Sequence, residues 1–136
     1  MMKDAVECEV RVRYAETDQM GVVYYSNYLV WFEVGRGELC RRRGFNYAKL
    51  EASGYRLVVT DAHCHYRSSA RYDESITVRT WLKEVHKRLI TFGYQILRKY
   101  HDKEEIIAEG ETRHLCLGSN GTPKSLPDAF LDLLAR

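Results

Sequence analysis

The sequence predicts a two-layer α+β domain in which one long helix packs on a five-stranded antiparallel sheet. Three observations point there. Residues 7–14 alternate strictly between apolar and charged side chains, residues 26–43 switch to a helical period, and four strand-like runs follow between residues 55 and 118. The order strand, long helix, four strands leaves one helical stripe and one sheet face to bury against each other.

In the first strand Cys8, Val10, Val12 and Tyr14 share one side and Glu7, Glu9, Arg11 and Arg13 the other, so Tyr14 is expected in the core. Residues 15–25 break this alternation. Asp18 stands three residues before Gly21, which supplies backbone freedom next to a carboxylate. The loop leads into the helix at 26–43, on which Tyr28, Trp31, Phe32, Gly35 and Leu39 form one stripe at 100° per residue. Ser26 or Asn27 is positioned to cap its start, and Gly44 stands just past its end, where a left-handed residue is wanted. Gly35 and Gly37 each cost the helix about 1 kcal/mol relative to alanine. On the buried stripe, Gly35 marks a close approach of the sheet; Gly37 lies on the other side without an evident role.

A short helical turn over 45–53 ends at Gly54. Runs at 55–67, 75–87, 89–100 and 105–118 then read as strands joined by short turns, hence antiparallel. Ile76, Val78, Thr80 and Leu82 share a face of the second run, and Ile90, Phe92, Tyr94 and Ile96 a face of the third. The third run carries apolar residues on its other face as well, at Leu89 and Leu97, leaving sheet surface and sheet edges for a second subunit. Ser125-Leu126-Pro127-Asp128 has the spacing of a capping box ahead of a small terminal helix. No repeat, linker or low-complexity tract divides residues 1–136, so a single domain is expected.

Composition narrows the function classes. A net charge of +2 is too small for a nucleic-acid face, and Arg41-Arg42-Arg43 sits in the last helical turn, where it complements the negative dipole end. No uncharged apolar run is long enough to span a bilayer, and the four cysteines have no Cys-x-x-Cys spacing. A cytoplasmic protein with free thiols and no integral membrane association is expected. His63 and His65 share a strand face but lack a third ligand, so no metal site is expected. His114 and Cys116 read as packing, and Ser119 has no nucleophile elbow.

The chemistry concentrates in one stretch, Tyr14-x-Glu-Thr-Asp18-x-x-Gly21-Val-Val-Tyr-Tyr25-x-Asn27-Tyr28-Leu, where a carboxylate is aimed at a helix start. Together with Arg-Leu-Val-Val-Thr-Asp-Ala at 56–62 and Ala70-Arg71-Tyr72-Asp73-Glu74, this stretch resembles the hotdog-fold 4-hydroxybenzoyl-CoA thioesterase family, in particular its YbgC-type acyl-CoA thioesterases. The resemblance covers nearly the whole chain. It implies a sheet wrapped around the central helix, a homodimer or homotetramer with substrate at the subunit interface, and hydrolysis of an acyl-CoA without a separate cofactor, CoA being part of the substrate. It further implies that Asp18 is the catalytic carboxylate, as nucleophile or general base, and that the backbone N–H of Tyr25 polarises the thioester carbonyl. Tyr14, Gly21 and Val22 fall beside the substrate, and Lys87, Arg88 and Lys124 near the CoA phosphates. The side chains of Tyr24, Tyr25 and Tyr28 are expected to pack. Two departures bear on loop shape and substrate preference: Ser69 stands where proline is common, and Tyr25 where some relatives have histidine. A glutamate on the helix, Glu33 or Glu38, is a rival for the catalytic role; Glu33 projects away from the buried stripe, which counts against it. The rival from another class is a non-catalytic acyl-CoA or acyl-carrier binding or scaffold protein.

Overall fold

A computed structural model describes residues 4–135. Its elements run β1 (Val6–Arg11), α1 (Asn27–Arg42), α2 (Tyr47–Ala52), β2 (Arg56–Tyr66), β3 (Ser75–Val85), β4 (Leu89–Lys99), β5 (Glu104–Leu117) and α3 (Asp128–Ala135). The strands form one antiparallel sheet in the order β1-β3-β4-β5-β2. The meander β3-β4-β5 is its centre. β2 does not pair with β3, its neighbour in sequence, but with β5, so β1 and β2 become the two edges.

α1 lies across one sheet face and buries Tyr28, Trp31, Phe32, Gly35 and Leu39. They meet the inward side chains of the central strands, among them Ile76, Val78, Ile90, Tyr94 and Ile96. Phe32 stacks on Tyr94 with ring centroids 4.2 Å apart, an aromatic contact near the middle of the core. Gly35 is the point of closest approach: an added Cβ would overlap Thr80 Oγ1 and lie 2.6 Å from Val78 Cγ1. Thr80 Oγ1 is buried without a hydrogen-bond partner, which follows from its position against the bare helix backbone.

Several local expectations are corrected. β1 ends at Arg11, Val12 is buried, and the chain then turns into one 3-10 turn over Tyr14–Glu16. Tyr14 is therefore 77% exposed, edge-on to Tyr72, and not a core residue. Ser26 occupies the N-cap of α1, but its side chain makes no capping bond. The side-chain amide of Asn27 instead donates to the carbonyl of Glu16 at 2.9 Å. The capping box at Ser125 does not form: Leu131 N–H donates to the Pro127 carbonyl, so α3 starts two residues later than that box requires. Leu97, expected on an open sheet face, is fully buried although it lies outside the core cluster: it pairs with Thr77 as Ile96 pairs with Val78, so the two neighbours face opposite sides of the sheet. On the β2 edge Val58 and Val59 are exposed.

Candidate active site

The loop between β1 and α1 is a small hairpin. Thr17 bridges Val23, Asp18 N–H donates to the Val22 carbonyl at 2.9 Å, and Gly21 N–H donates to the Asp18 carbonyl at 3.0 Å. Gly21 has φ +82°, the left-handed value the tight turn needs. Asp18 projects half-buried from this hairpin, and its Oδ1 accepts the Met20 N–H at 2.9 Å. The other carboxylate oxygen has no hydrogen-bond partner among the described residues. Val22 is half-buried and Gly21 exposed at the tip.

At the start of α1, Asn27 N–H donates to the Tyr24 carbonyl and Tyr28 N–H to the Tyr25 carbonyl. The N–H of Tyr25 has no acceptor among the described residues, at the positive end of a 16-residue helix. An open donor and an open carboxylate thus sit on consecutive parts of one loop. The Tyr25 carbonyl accepts from the Tyr66 hydroxyl at 2.9 Å, which ties the helix start to the end of β2. Tyr28 is buried, as expected, but Tyr24 and Tyr25 are 47% and 61% exposed and stack on each other with centroids 4.7 Å apart. They line the approach to the loop rather than the core. Burial pushes the Tyr66 phenol up to about 12, and the Tyr24 phenol is raised by its Tyr25 neighbour and, to a smaller extent, by the Asp18 charge.

Glu16 holds this assembly in place, and nothing in the sequence singles it out. Its carboxylate is buried and accepts the Trp31 indole N–H at 3.0 Å and the Arg13 backbone N–H at 2.8 Å. Its carbonyl accepts both the Tyr24 N–H and the Asn27 amide. The 67–74 connection braces the other side. Val23 N–H donates to the Ala70 carbonyl, Ala70 N–H donates to the Tyr28 hydroxyl, and Glu74 pairs with Arg98 at 2.7 Å.

Lys87, Arg88 and Lys124 are brought together by backbone bonds. Lys87 and Arg88 form the β3–β4 turn, where the Lys87 carbonyl accepts Leu126 N–H and the Arg88 carbonyl accepts Cys116 N–H, both at 2.8 Å. Lys124 N–H donates to the Cys116 carbonyl, and its ammonium lies 4.9 Å from the Tyr55 ring centroid. This basic group stands at the Arg56 end of β2, since Arg56 pairs with Leu117, whereas Asp18 and Tyr25 stand at its Tyr66 end. An 11-residue strand is about 33 Å long, so one protomer does not place a single CoA thioester against both.

The sequence model of the Thioesterase-like superfamily matches residues 12–134. The chain belongs to this family. Among its relatives, YneP of Bacillus subtilis is 39% identical over 91% of this chain and 88% of its own length. The acyl-CoA thioesterase YbgC of Haemophilus influenzae is 33% identical over 72% of this chain and 73% of its own. Among solved structures, the DHNA-CoA thioesterase of Staphylococcus aureus superposes with a TM-score of 0.84 at 35% identity, covering 94% of this chain and 85% of that one. The fold is thus the hotdog fold of these thioesterases, with the sheet around α1.

Within this family member the remaining candidates separate clearly. Glu38 is paired with Arg41 and Arg42 at 3.2 and 2.9 Å and faces away from the Asp18 loop. Glu33 is exposed on the wall of a cleft of about 1090 Å³ between α1 and β2, together with Val30, Val34, Leu57, Val59 and Gly37. His63 and His65 line a shallow groove on the sheet with Arg67, Trp81 and Lys83. His114 does pack, in contact with Phe92 and hydrogen-bonded through Nε2 to Thr112 at 2.8 Å. No helix among the described residues is long and apolar enough to cross a membrane.

Proposed function

We propose that this protein hydrolyses acyl-CoA thioesters to a free acid and CoA, with Asp18 and the Tyr25 backbone N–H as its reacting groups. One observation carries the reading: the Tyr25 N–H, at the positive end of α1, is left without an acceptor beside a carboxylate whose second oxygen is also open. A thioester carbonyl is weakly resonance-stabilised, and its oxygen becomes an anion as the carbon is attacked. A single pre-aimed amide donor lowers that barrier by about 3–4 kcal/mol. Asp18 supplies the attacking electron pair, on the carbonyl carbon as nucleophile or on a water proton as base. On either route the C–S bond breaks, CoA leaves as the thiol, and one water is consumed. Tyr14, Gly21 and Val22 flank the acyl and pantetheine path at this loop.

The reading includes a homodimer. β2 is a long edge with exposed Val58 and Val59, the kind of edge that pairs with a second copy when it is not otherwise covered. A two-fold pairing of β2 with its counterpart is antiparallel and sets the Tyr66 end of one protomer beside the Arg56 end of the other. Asp18 and Tyr25 of one copy then face the basic group Lys87, Arg88 and Lys124 of its mate, which suits the phosphates of CoA. Two such dimers associating give the tetramer. Four free cysteines fit a reducing cytoplasm.

The test is release of free thiol from a panel of short-chain, long-chain and aroyl CoA thioesters by the purified protein. Turnover of at least one class, lost in Asp18→Asn and kept in Glu33→Gln, supports the reading; activity that survives loss of Asp18 rejects it.

A further inference from the structure

The cleft between α1 and β2 is lined by three charged side chains, Glu33, Arg36 and Arg41. Most of its wall is apolar, with Val30, Val34, Leu57 and Phe92. Into it Arg36 reaches from α1, half-buried, and its guanidinium donates to the Tyr94 hydroxyl at 3.2 Å. The Tyr94 hydroxyl is 2.6 Å from Thr112 Oγ1, which is 2.8 Å from His114 Nε2. These are neutral partners, and none of the ion pairs among the described residues includes Arg36. The other arginines of α1 that enter ion pairs, Arg41 and Arg42, share Glu38. A half-buried guanidinium held at one nitrogen by a buried row of hydroxyls keeps its other donors for an anion. Its planar fork fits a carboxylate through two parallel hydrogen bonds.

We infer that this cleft receives the acyl chain and that Arg36 binds a carboxylate at the chain's far end, making medium-length ω-carboxyacyl-CoAs the preferred substrate class. The inference rests on the thioesterase reading, which sets the thioester carbonyl at Tyr25. The α1 residues that line the cleft begin at Val30, and the levels of Phe32 and Arg36 lie about 10–16 Å along the axis from Tyr25 at 1.5 Å per residue. An extended chain covers roughly 3.5 Å per three bonds, so the carboxylate falls at the end of an acyl group of roughly 10–15 carbons. Gly37, on the same wall, is faced by the Arg41 guanidinium.

The experiment compares CoA thioesters of one length, ten carbons, ending in a carboxylate or in a methyl group, on the whole wild-type protein and on Arg36→Gln. Free decanedioic acid is titrated calorimetrically into both. The expected result is a kcat/KM about 10- to 100-fold higher for the carboxylate-ended chain, carried by KM, a preference that Arg36→Gln removes along with dicarboxylate binding. Equal or better use of the methyl-ended chain by the wild type, with Arg36→Gln slowing both alike, overturns the inference. A shift of Arg36→Gln to a smaller species on size exclusion also overturns it, because the guanidinium then belongs to a subunit contact. Should the protein cleave no thioester yet bind the dicarboxylate through Arg36, the hydrolase reading fails and the carboxylate site stands; neither activity nor binding overturns both. If Arg36→Gln does not fold, Arg36→Lys retains charge without the fork and is expected to keep part of the preference; an unchanged preference overturns the fork's role.

Discussion

The carboxylate of Glu16 accepts a hydrogen bond from the indole Nε1 of Trp31 at 3.0 Å, with both groups buried. This bond joins the loop that carries Asp18 to the buried stripe of the helix that presents the Tyr25 amide. The loop position is therefore set by core packing rather than by the loop's own residues. Glu16→Ala leaves the Trp31 and Arg13 donors unpaired and is expected to destabilise the fold by about 2–4 kcal/mol in urea denaturation. It should also lower kcat more than it raises KM, while Glu16→Gln, which retains an acceptor, recovers most of both.

Asp18 contributes little to packing, since its one intramolecular side-chain bond is a local one to Met20. Asp18→Asn should leave the unfolding midpoint within about 0.5 kcal/mol of wild type and reduce kcat by roughly 10²–10⁴-fold. A single turnover in ¹⁸O-water tests the two roles of this carboxylate: label in the Asp18 side chain with an unlabelled product acid indicates direct attack, and label in the product acid with none in Asp18 indicates that water attacks the acyl carbon, as a general base requires.

The basic group at the Arg56 end of β2 should act on CoA and not on the acyl chain. Replacing Lys87, Arg88 and Lys124 together with alanine is expected to raise KM for acyl-CoA about tenfold or more at low salt, with the difference shrinking as ionic strength rises. Acyl-pantetheine thioesters, which lack the phosphates, should show no such change. An equal loss on both substrates would remove these residues from the site.

Gly35 is required by distance rather than by backbone conformation. In Gly35→Ala the new methyl meets Thr80 and Val78 across the helix–sheet contact, and a loss of about 1–3 kcal/mol is expected by thermal or urea unfolding. Pairing it with Thr80→Ser, which removes a methyl at the same contact, should restore part of the loss; strictly additive effects would show that the two residues do not share it.

His114 makes stability depend on pH. Burial, with the Arg36 charge adding to it, pushes its imidazole down to about 4 from an ordinary 6.5. The native state then holds this histidine neutral while the unfolded chain takes up a proton below 6.5, so the unfolded state binds more protons and stability falls as pH drops. The contribution is complete above 6.5 and is lost progressively towards 4, amounting to about 3 kcal/mol in the limit. Glu7 and Glu74, whose carboxyls are held low by Lys99 and by Arg98, lose their contribution only below about 4.5. Urea midpoints between pH 7 and 5 should therefore fall in the wild type and stay nearly flat in His114→Gln; equal slopes would place the effect elsewhere.

Much of the fold could be read from the chain because its periods are clean. The α1 stripe, the inward faces of β3 and β4, and the left-handed Gly44 follow from local patterns that burial and backbone geometry leave no alternative to satisfy. The placement of Asp18 on the loop that leads into the start of α1 was also legible, because loop and helix start are consecutive in sequence. Tyr14 leaves the core because a 3-10 turn ends the alternation of β1, whereas Leu97 keeps its place on the face opposite Ile96 and differs from expectation only in being covered there.

The sequence by itself determined the strand and helix periods, the family, and the local pairing of Asp18 with a helix start, since each depends on residues close together along the chain. Only the tertiary structure decided that β2 crosses to the far edge beside β5, that Glu16 is buried on Trp31, that Tyr66 reaches the Tyr25 carbonyl, and that Arg36 of the α1–β2 cleft reaches the Tyr94 hydroxyl. These relations join residues 15 to more than 50 positions apart. No local period encodes them, because the free energy that selects them is gained only when helix and sheet faces close on each other.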